Sequence, residues 1–300
     1  MSVLELRAIG FGALNVDKLY VVDKIPGPDE EGFVKDVSVS PGGSAANTIV
    51  ALSRLGVKTA YIGKVGNDEG GRILLENLKN EGVDTSCVVR AEGRSGSAMI
   101  LVDERGNRAI LVDPGVNDTL RYEEIDMESA KQYGLIHLTS FICKNGLDSL
   151  KSQKRVVREF EFVSFDPGMV YVERGLDEMV DFLKYTTVFL PSKSEIEMLF
   201  NMNYRDAAEE SLNLGVEVVA VKMGSEGCWI KTKNREVRVD PFRVEVVDTT
   251  GAGDAFNAGF LYGYLSGKDV EECGRMGNYV ASRCIQKYGA RDGLPYRIDV

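Results

Sequence analysis

Beyond residue 134 the chain alternates short apolar runs with longer stretches that are apolar at every third or fourth position. Leu135-Ile136-His137-Leu138, residues 161–165, Val188-Phe189-Leu190 and residues 216–221 have the length and composition of buried strands. Helices are expected between them, at about 147–158, 175–184, 193–200 and 206–214. Strand and helix in turn predict a parallel sheet covered on both faces, with any site at the carboxyl ends of the strands. The first third carries the same rhythm: strand at 4–11, helix at 44–55, strand at 59–65, helix at 72–81. Two strand pairs interrupt it. Residues 18–22 and 32–40 flank a Pro26-Gly27-Pro28 loop, and 33–39 alternate as a half-exposed sheet does. Residues 97–102 and 107–112 flank the turn Asp103-Glu104-Arg105-Gly106. The division predicted is an α/β core of 1–15, 41–93 and 114–300, and a small β lid of 16–40 and 94–113.

The pattern is most pointed near the carboxyl end. A Val-rich run, 242–247, predicts a strand; Gly251-Ala252-Gly253 follows with almost no side-chain bulk. Phe256, Phe260, Leu261 and Tyr264 then recur at helical spacing, and a second helix is expected at 273–284. A helix begun by glycines presents unpaired N–H groups and the positive end of its dipole, and no Cβ keeps an anion away. Asp254 at that point admits two readings: a helix cap, or a general base aimed at a substrate hydroxyl.

Composition narrows the chemistry. The 300 residues are 44% apolar and 27% charged, which suits one large globular domain. A net charge of -10 argues against non-specific nucleic-acid binding. Five scattered cysteines without a CxxC, and His137 as the one histidine, argue against a zinc site or a histidine-driven nucleophile. His137 lies in an apolar strand and reads as structural. No apolar run approaches membrane-spanning length and no signal pattern opens the chain, so a cytoplasmic protein with reduced thiols is expected. Gly10-x-Gly12 after the first strand hints at a dinucleotide fold, but Asn15 stands where the third glycine belongs. No GxxxxGK[ST] occurs.

The string from Asp248 to Phe260, DTTGAGDAFNAGF, closely resembles the carboxyl-terminal signature of the ribokinase-like (PfkB) family of sugar and nucleoside kinases. Gly42-Gly43-Ser44-Ala45-Ala46-Asn47 resembles the family's other signature, in the right order and about 200 residues upstream. The resemblance implies a ribokinase-like three-layer α/β core with a mostly parallel sheet and a β lid. It implies an ATP-dependent kinase that phosphorylates a hydroxyl of a small sugar, with Mg²⁺. Asp254 would be the base, and the Gly251, Ala252 and Gly253 turn would stabilise developing charge through its N–H groups. Asp17, the Gly43 backbone and Asn47 would bind substrate, with Asn15 and Ser140 in the same cleft. Ser192, Lys222, Gly224, Gly227 and Asn278 would face the nucleotide. Glu195 would organise Mg²⁺ through water, and Asp248 with Thr250 resembles a monovalent-cation site for K⁺. The chain departs from the pattern at Ser44, where many ribokinases have lysine, at Ser192, where the motif has asparagine, and at Lys222, where a small hydroxyl residue is usual. Lys222 could meet a phosphate or point to solvent, and Ser192 could serve as a helix cap. Arg108 or Arg105 in the lid could touch an anionic part of the substrate. Alternatives carried forward are a nucleoside kinase and a non-catalytic sugar-binding protein on this fold. A homodimer through the exposed lid edge is also expected.

Overall fold

The structure, a computed structural model, describes residues 6–300. Leu4 and Glu5 of the expected first strand lie outside them. The strands are β1 (Arg7–Phe11), β2 (Asn15–Val22), β3 (Val34–Gly42), β4 (Lys58–Gly66), β5 (Val83–Asp84), β6 (Val88–Ala91), β7 (Gly96–Asp103), β8 (Arg108–Asp113), β9 (Leu135–Leu138), β10 (Phe162–Phe165), β11 (Val188–Phe189), β12 (Val218–Lys222), β13 (Cys228–Thr232) and β14 (Glu236–Val239). The helices are α1 (Ser44–Arg54), α2 (Glu69–Asn80), α3 (Met127–Ala130), α4 (Asp148–Val156), α5 (Gly168–Val172), α6 (Leu176–Leu183), α7 (Lys193–Phe200), α8 (Tyr204–Leu214), α9 (Ala252–Leu265) and α10 (Val270–Cys284).

The main sheet runs β14-β13-β12-β11-β10-β9-β1-β4-β5, with β6 also beside β4. It is parallel from β12 through β5, and the β12-β13-β14 edge is antiparallel. Side chains alternate between two cores because successive residues of a strand face opposite ways. On β12, Val218 and Ala220 join the core under α1, α9 and α10, while Val219 and Val221 join the core under α4 to α8. Gly10 lets α1 lie close on β1: a Cβ there would come within 2.5 Å of Ile49. This buries both faces of the central strands, which is why they read as continuous apolar runs.

A separate four-stranded sheet runs β3-β2-β7-β8, with β2 and β7 parallel and both outer pairs antiparallel. Register puts Asp17, Ser40, Ala98 and Val112 in one row, and Lys18, Val39, Met99 and Leu111 in the next row on the other face. The second row leaves Val39, Met99 and Leu111 exposed. Asn117 anchors the crossing from core to small sheet: it accepts from the Leu14 N–H at 3.0 Å and donates to the Leu14 carbonyl at 2.8 Å.

The structure departs from the expected elements in detail, and helix α2 starts at Glu69, three residues early, after its Asp68 cap. Residues 242–247 form no strand; Phe242 stacks edge-on against Tyr279, and Val244 and Val246 wall a cavity instead of pairing. Their apolar character comes from that wall, not from a ladder. The hairpin β13–β14, which extends the sheet, was not anticipated from the sequence. Helix α10 begins at Val270, three residues early, because Asp269 and Glu272 form a capping box.

Candidate active site

Helix α9 starts at the carboxyl edge of the sheet. Its cap, Gly251, has φ 75°, a left-handed conformation, and a Cβ there would lie 2.5 Å from that of Ala290. Glycine is required on both counts. The Ala252 N–H already donates to the Thr249 carbonyl at 3.2 Å. Among the described residues, the amides of Gly253 and Asp254 have no such partner, and both lie in the first turn.

Asp254 makes no side-chain cap on its own helix. Its carboxylate crosses to α1 instead: Oδ1 accepts from the Ser44 hydroxyl at 2.5 Å, and Oδ2 accepts from the Asn47 amide at 2.8 Å. The Thr48 hydroxyl donates to the Asp254 carbonyl at 3.2 Å. Burial pushes the Asp254 carboxyl up to about 6, against the pull of the Ser44 and Asn47 bonds. The position suits a base that is ionised near neutral pH. Ser44, the departure from the lysine of many ribokinases, is thereby a direct partner of Asp254.

Asp17 projects from β2 under the Gly42-Gly43 turn; a Cβ on Gly42 would lie 2.2 Å from its Oδ2. Gly43 has φ 115° and sits against the Ala13 carbonyl, so it too must be glycine. Burial raises the Asp17 carboxyl to about 6, with Arg291 pulling the other way. Asp17, Gly43, Asn47 and Asp254 are thus brought to one place. Asn15 is nearby on β2, its side-chain Oδ1 accepting from the Asn117 amide at 3.1 Å. Ser140 sits at the Gly168 turn and makes no hydrogen bond to the Asp254 cluster.

On the other side of the α9 terminus is a cavity of about 450 Å³. Lys222, Gly224, Gly227, Phe242, Val246 and Asn278 are among the residues that line it. Gly224 and Gly227 both have positive φ, 58° and 80°, and the Gly227 Cα faces the Val239 carbonyl. The Asn278 amide donates to the carbonyls of Val239 and Asp240, at 3.1 and 3.0 Å, and so holds the segment entering the cavity wall.

Lys222 lines the cavity but does not run out to solvent. Its Nζ donates to Asp166 at 2.5 Å and to Asn257 at 3.3 Å, and Asn257 donates to the same Asp166 oxygen at 2.6 Å. It also lies 3.5 Å from where a Gly253 Cβ would be, beside the first turn of α9. Burial alone would raise the Asp166 carboxyl; the charge and hydrogen bond of Lys222 reverse that and hold it below the ordinary value. Ser192 caps α7 by accepting from the Glu195 N–H at 3.3 Å, and Glu195 returns by accepting from the Ser192 N–H at 2.7 Å. Ser192 also pairs with Lys222 as an isolated bridge, which brings the α7 terminus to the same edge. Burial, then Asp166, push the Glu195 carboxyl up. Among the described residues no cluster of three or more acidic, histidine or cysteine side chains forms a metal cage. Mg²⁺ does not need one: it binds through one or two carboxylates, waters and substrate phosphates. Glu195 and Asp166 fit that donor set.

Asp248 is pinned by three donors: the Thr250 N–H and hydroxyl, at 2.9 and 2.7 Å, and the Gly289 N–H at 2.9 Å. Two buried residues escaped the sequence reading. Asp166 directly follows β10 at the carboxyl end of the strand. Arg291 follows the Gly289-Ala290 turn; its Nε donates to Asn47 Oδ1 at 2.8 Å, and Nη1 donates to Asn77.

A family model described as pfkB family carbohydrate kinase matches residues 7–297. The chain belongs to the PfkB family of carbohydrate kinases. A sugar kinase of Archaeoglobus fulgidus, described as uncharacterized, is 70% identical over 83% of this chain and 100% of its own. An ATP-dependent ribose-1-phosphate kinase of Halopiger xanaduensis is 33% identical over 95% of this chain and 94% of its own. The crystal structure of a Thermotoga maritima ribokinase superposes with a TM-score of 0.87 at 29% identity, covering 97% of this chain and 96% of that one. An Arabidopsis thaliana ribokinase solved with ribose and ATP gives 0.83 at 25% identity, covering 97% and 96%. This PfkB kinase is therefore an ATP-dependent sugar kinase, a phosphotransferase acting on a sugar hydroxyl, with the ribokinase fold. No helix among the described residues is long and apolar enough to cross a membrane.

Proposed function

We propose that the enzyme phosphorylates a hydroxyl of a pentose-type sugar held between Asp17, the Gly42-Gly43 turn and Asp254. The observation that carries this reading is the Asp254 carboxylate, which lies at the start of α9 between the cleft under Gly42 and the cavity beside Lys222. Asp17 and Asn47 accept and donate hydrogen bonds to the ring hydroxyls, with Asn15 at the rim. ATP takes the cavity, its base against the apolar wall of Phe242 and Val246 near Asn278, its phosphates toward Gly224, Gly227 and Lys222. Asp254 takes the proton of the attacking hydroxyl. The new bond joins that oxygen to the γ-phosphorus, and the bond from γ-phosphorus to the bridging oxygen of ADP breaks. The Gly253 and Asp254 amides, with the dipole of α9, stabilise charge on the transferring group. Glu195 and Asp166, through water, would hold Mg²⁺, which neutralises the phosphates when bound. A monovalent cation beside Asp248 and Thr250 belongs to the same reading. The four-stranded sheet, residues 15–42 and 96–113, acts as a lid that excludes water.

A second reading of the acceptor rests on Arg108. Register puts it on the same lid face as Asp17, and it is near enough to Asp248 to add to the Gly289 and Thr250 hydrogen bonds that, against burial, lower that carboxyl. That favours an acceptor already carrying a phosphate, as the Halopiger relative's name describes for itself. We also propose a homodimer through the exposed row Val39, Met99 and Leu111, and a cytoplasmic site, which suits the free cysteines. Light scattering checks the dimer. The acceptor is tested by a coupled assay with ATP and Mg²⁺ over pentoses, hexoses, pentose phosphates and nucleosides. Turnover of a pentose or pentose phosphate is expected. Turnover of nucleosides alone would overturn the assignment.

A further inference from the structure

Arg291 is the one buried arginine of the described residues, and it lies behind the sugar cleft. Its Nε–H donates to Asn47 Oδ1, and Asn47 Nδ2 donates to Asp254 Oδ2. Its other partners fix it in place: Nη1 donates to Asn77 on α2, and its own carbonyl accepts from Arg54, which is paired with Glu81. A primary amide has one accepting and one donating end. With the guanidinium on one side and the carboxylate on the other, only one orientation of Asn47 satisfies both neighbours. Turned over, the amide would set donor against donor and acceptor against acceptor.

We propose that Arg291 is a positioning residue for the phosphoryl-transfer reaction: it locks the Asn47 amide so that its N–H always faces Asp254. The inference rests on Asp254 acting as the base. An ionised Asp254 attracts the N–H end of Asn47 by itself. A protonated one does not, and a free amide would then turn its carbonyl toward the acid. That state arises in every turnover, once Asp254 has taken the hydroxyl proton. Arg291 prevents the turn and returns the same site to each new substrate. Its charge also acts directly: it pulls against the burial that raises the Asp17 carboxyl, and Asp254 in turn supports its protonated form. Burial brings the Arg291 guanidinium down to about 10, still charged at neutral pH. The other groups whose charge reaches Asp254 are Asp166, Lys222, Tyr61 and Cys284. None of these bonds to Asn47.

The test compares wild type with R291M and R291K. Asp254 is followed directly by ¹³C NMR of carboxyl-labelled aspartate, assigned by its loss in D254N, with no substrate present. Turnover is measured on the best acceptor found above, with ATP. Losing the fixed donor and the nearby charge should raise the Asp254 titration by about one unit in R291M. The kcat should fall about 10- to 100-fold, as expected when a reacting group is misplaced, while KM for ATP stays constant. R291K keeps the charge but lacks an Nε–H at the same place, so it should restore part of the titration and less of kcat. If R291M does not fold, R291K decides alone: a wild-type kcat there overturns the proposal. A lowered melting temperature with unchanged Asp254 titration and unchanged kcat would make Arg291 a packing residue only. A shifted titration in an enzyme that turns over no sugar would keep the lock and discard the reading of the reaction.

Discussion

Replacing Lys222 by methionine removes one member of a buried pair and leaves the other. Lys222 Nζ and Asp166 are 2.5 Å apart, and only 13% and 7% of their side chains are exposed. Asn257 and the Gly168 N–H then remain as donors to Asp166, with no positive charge beside it. Breaking a buried pair in this way costs about 3–5 kcal/mol, far more than a surface pair contributes. In a chain of this size each kcal/mol moves Tm by about 2–4 °C, so K222M should melt about 10 °C lower. K222M with D166N removes both charges and should recover most of that loss. The pH dependence has a definite sign. In wild type the Asp166 carboxyl is held below 3.8, so its contribution is present above that value and is lost as pH falls through the lowered one. In K222M burial raises the carboxyl instead, so the penalty is largest at neutral pH and shrinks as Asp166 takes up a proton. Scanning calorimetry of wild type, both single variants and the double variant at pH 5 and 7.5 gives the coupling directly. Additive losses would refute the reasoning. The same four proteins report on chemistry: if Lys222 meets the phosphates, the double variant regains stability but not its KM for ATP.

Two further outcomes follow from the site. Asp17 and Asp254 are both raised to about 6 by burial, and the proposed reaction needs both ionised, so kcat/KM should fall below pH 6 with a slope approaching two; D17N should leave a slope of one. E195Q keeps an oxygen for the Ser192 N–H, so its Tm should hold while the Mg²⁺ concentration for half-maximal rate rises about tenfold; a lowered Tm with an unchanged Mg²⁺ titration would leave Glu195 as a cap alone.

The core of this fold was legible because its causes are local. Strands buried on both faces must be apolar throughout, and the turns at Gly43 and Gly251 need positive φ against a close neighbour. Asp254 was legible by its place after such a turn, but its choice between cap and base was not. That choice depends on Ser44 and Asn47, 210 and 207 positions away. Arg291 left no signal because its partner Asn47 is 244 positions distant, and a lone arginine near a terminus reads as surface. The pairing of Lys222 with Asp166 was not legible, because the two lie 56 positions apart and meet only in the fold. The failed strand at 242–247 has a different cause: β-branched residues suit any apolar surface, and here Val244 and Val246 wall an open cavity.

The central claim is that Asp254 takes the hydroxyl proton, and D254N tests it most directly. Asparagine keeps the size; its oxygen can accept from the fixed Asn47 N–H and its N–H can donate to the Ser44 hydroxyl, so folding and ATP affinity should hold within about twofold, while kcat falls by about 10²–10⁴. Single-turnover transfer of labelled γ-phosphate from ATP to the acceptor measures that step alone. A rate near that of the wild type would contradict the account and return Asp254 to a structural role.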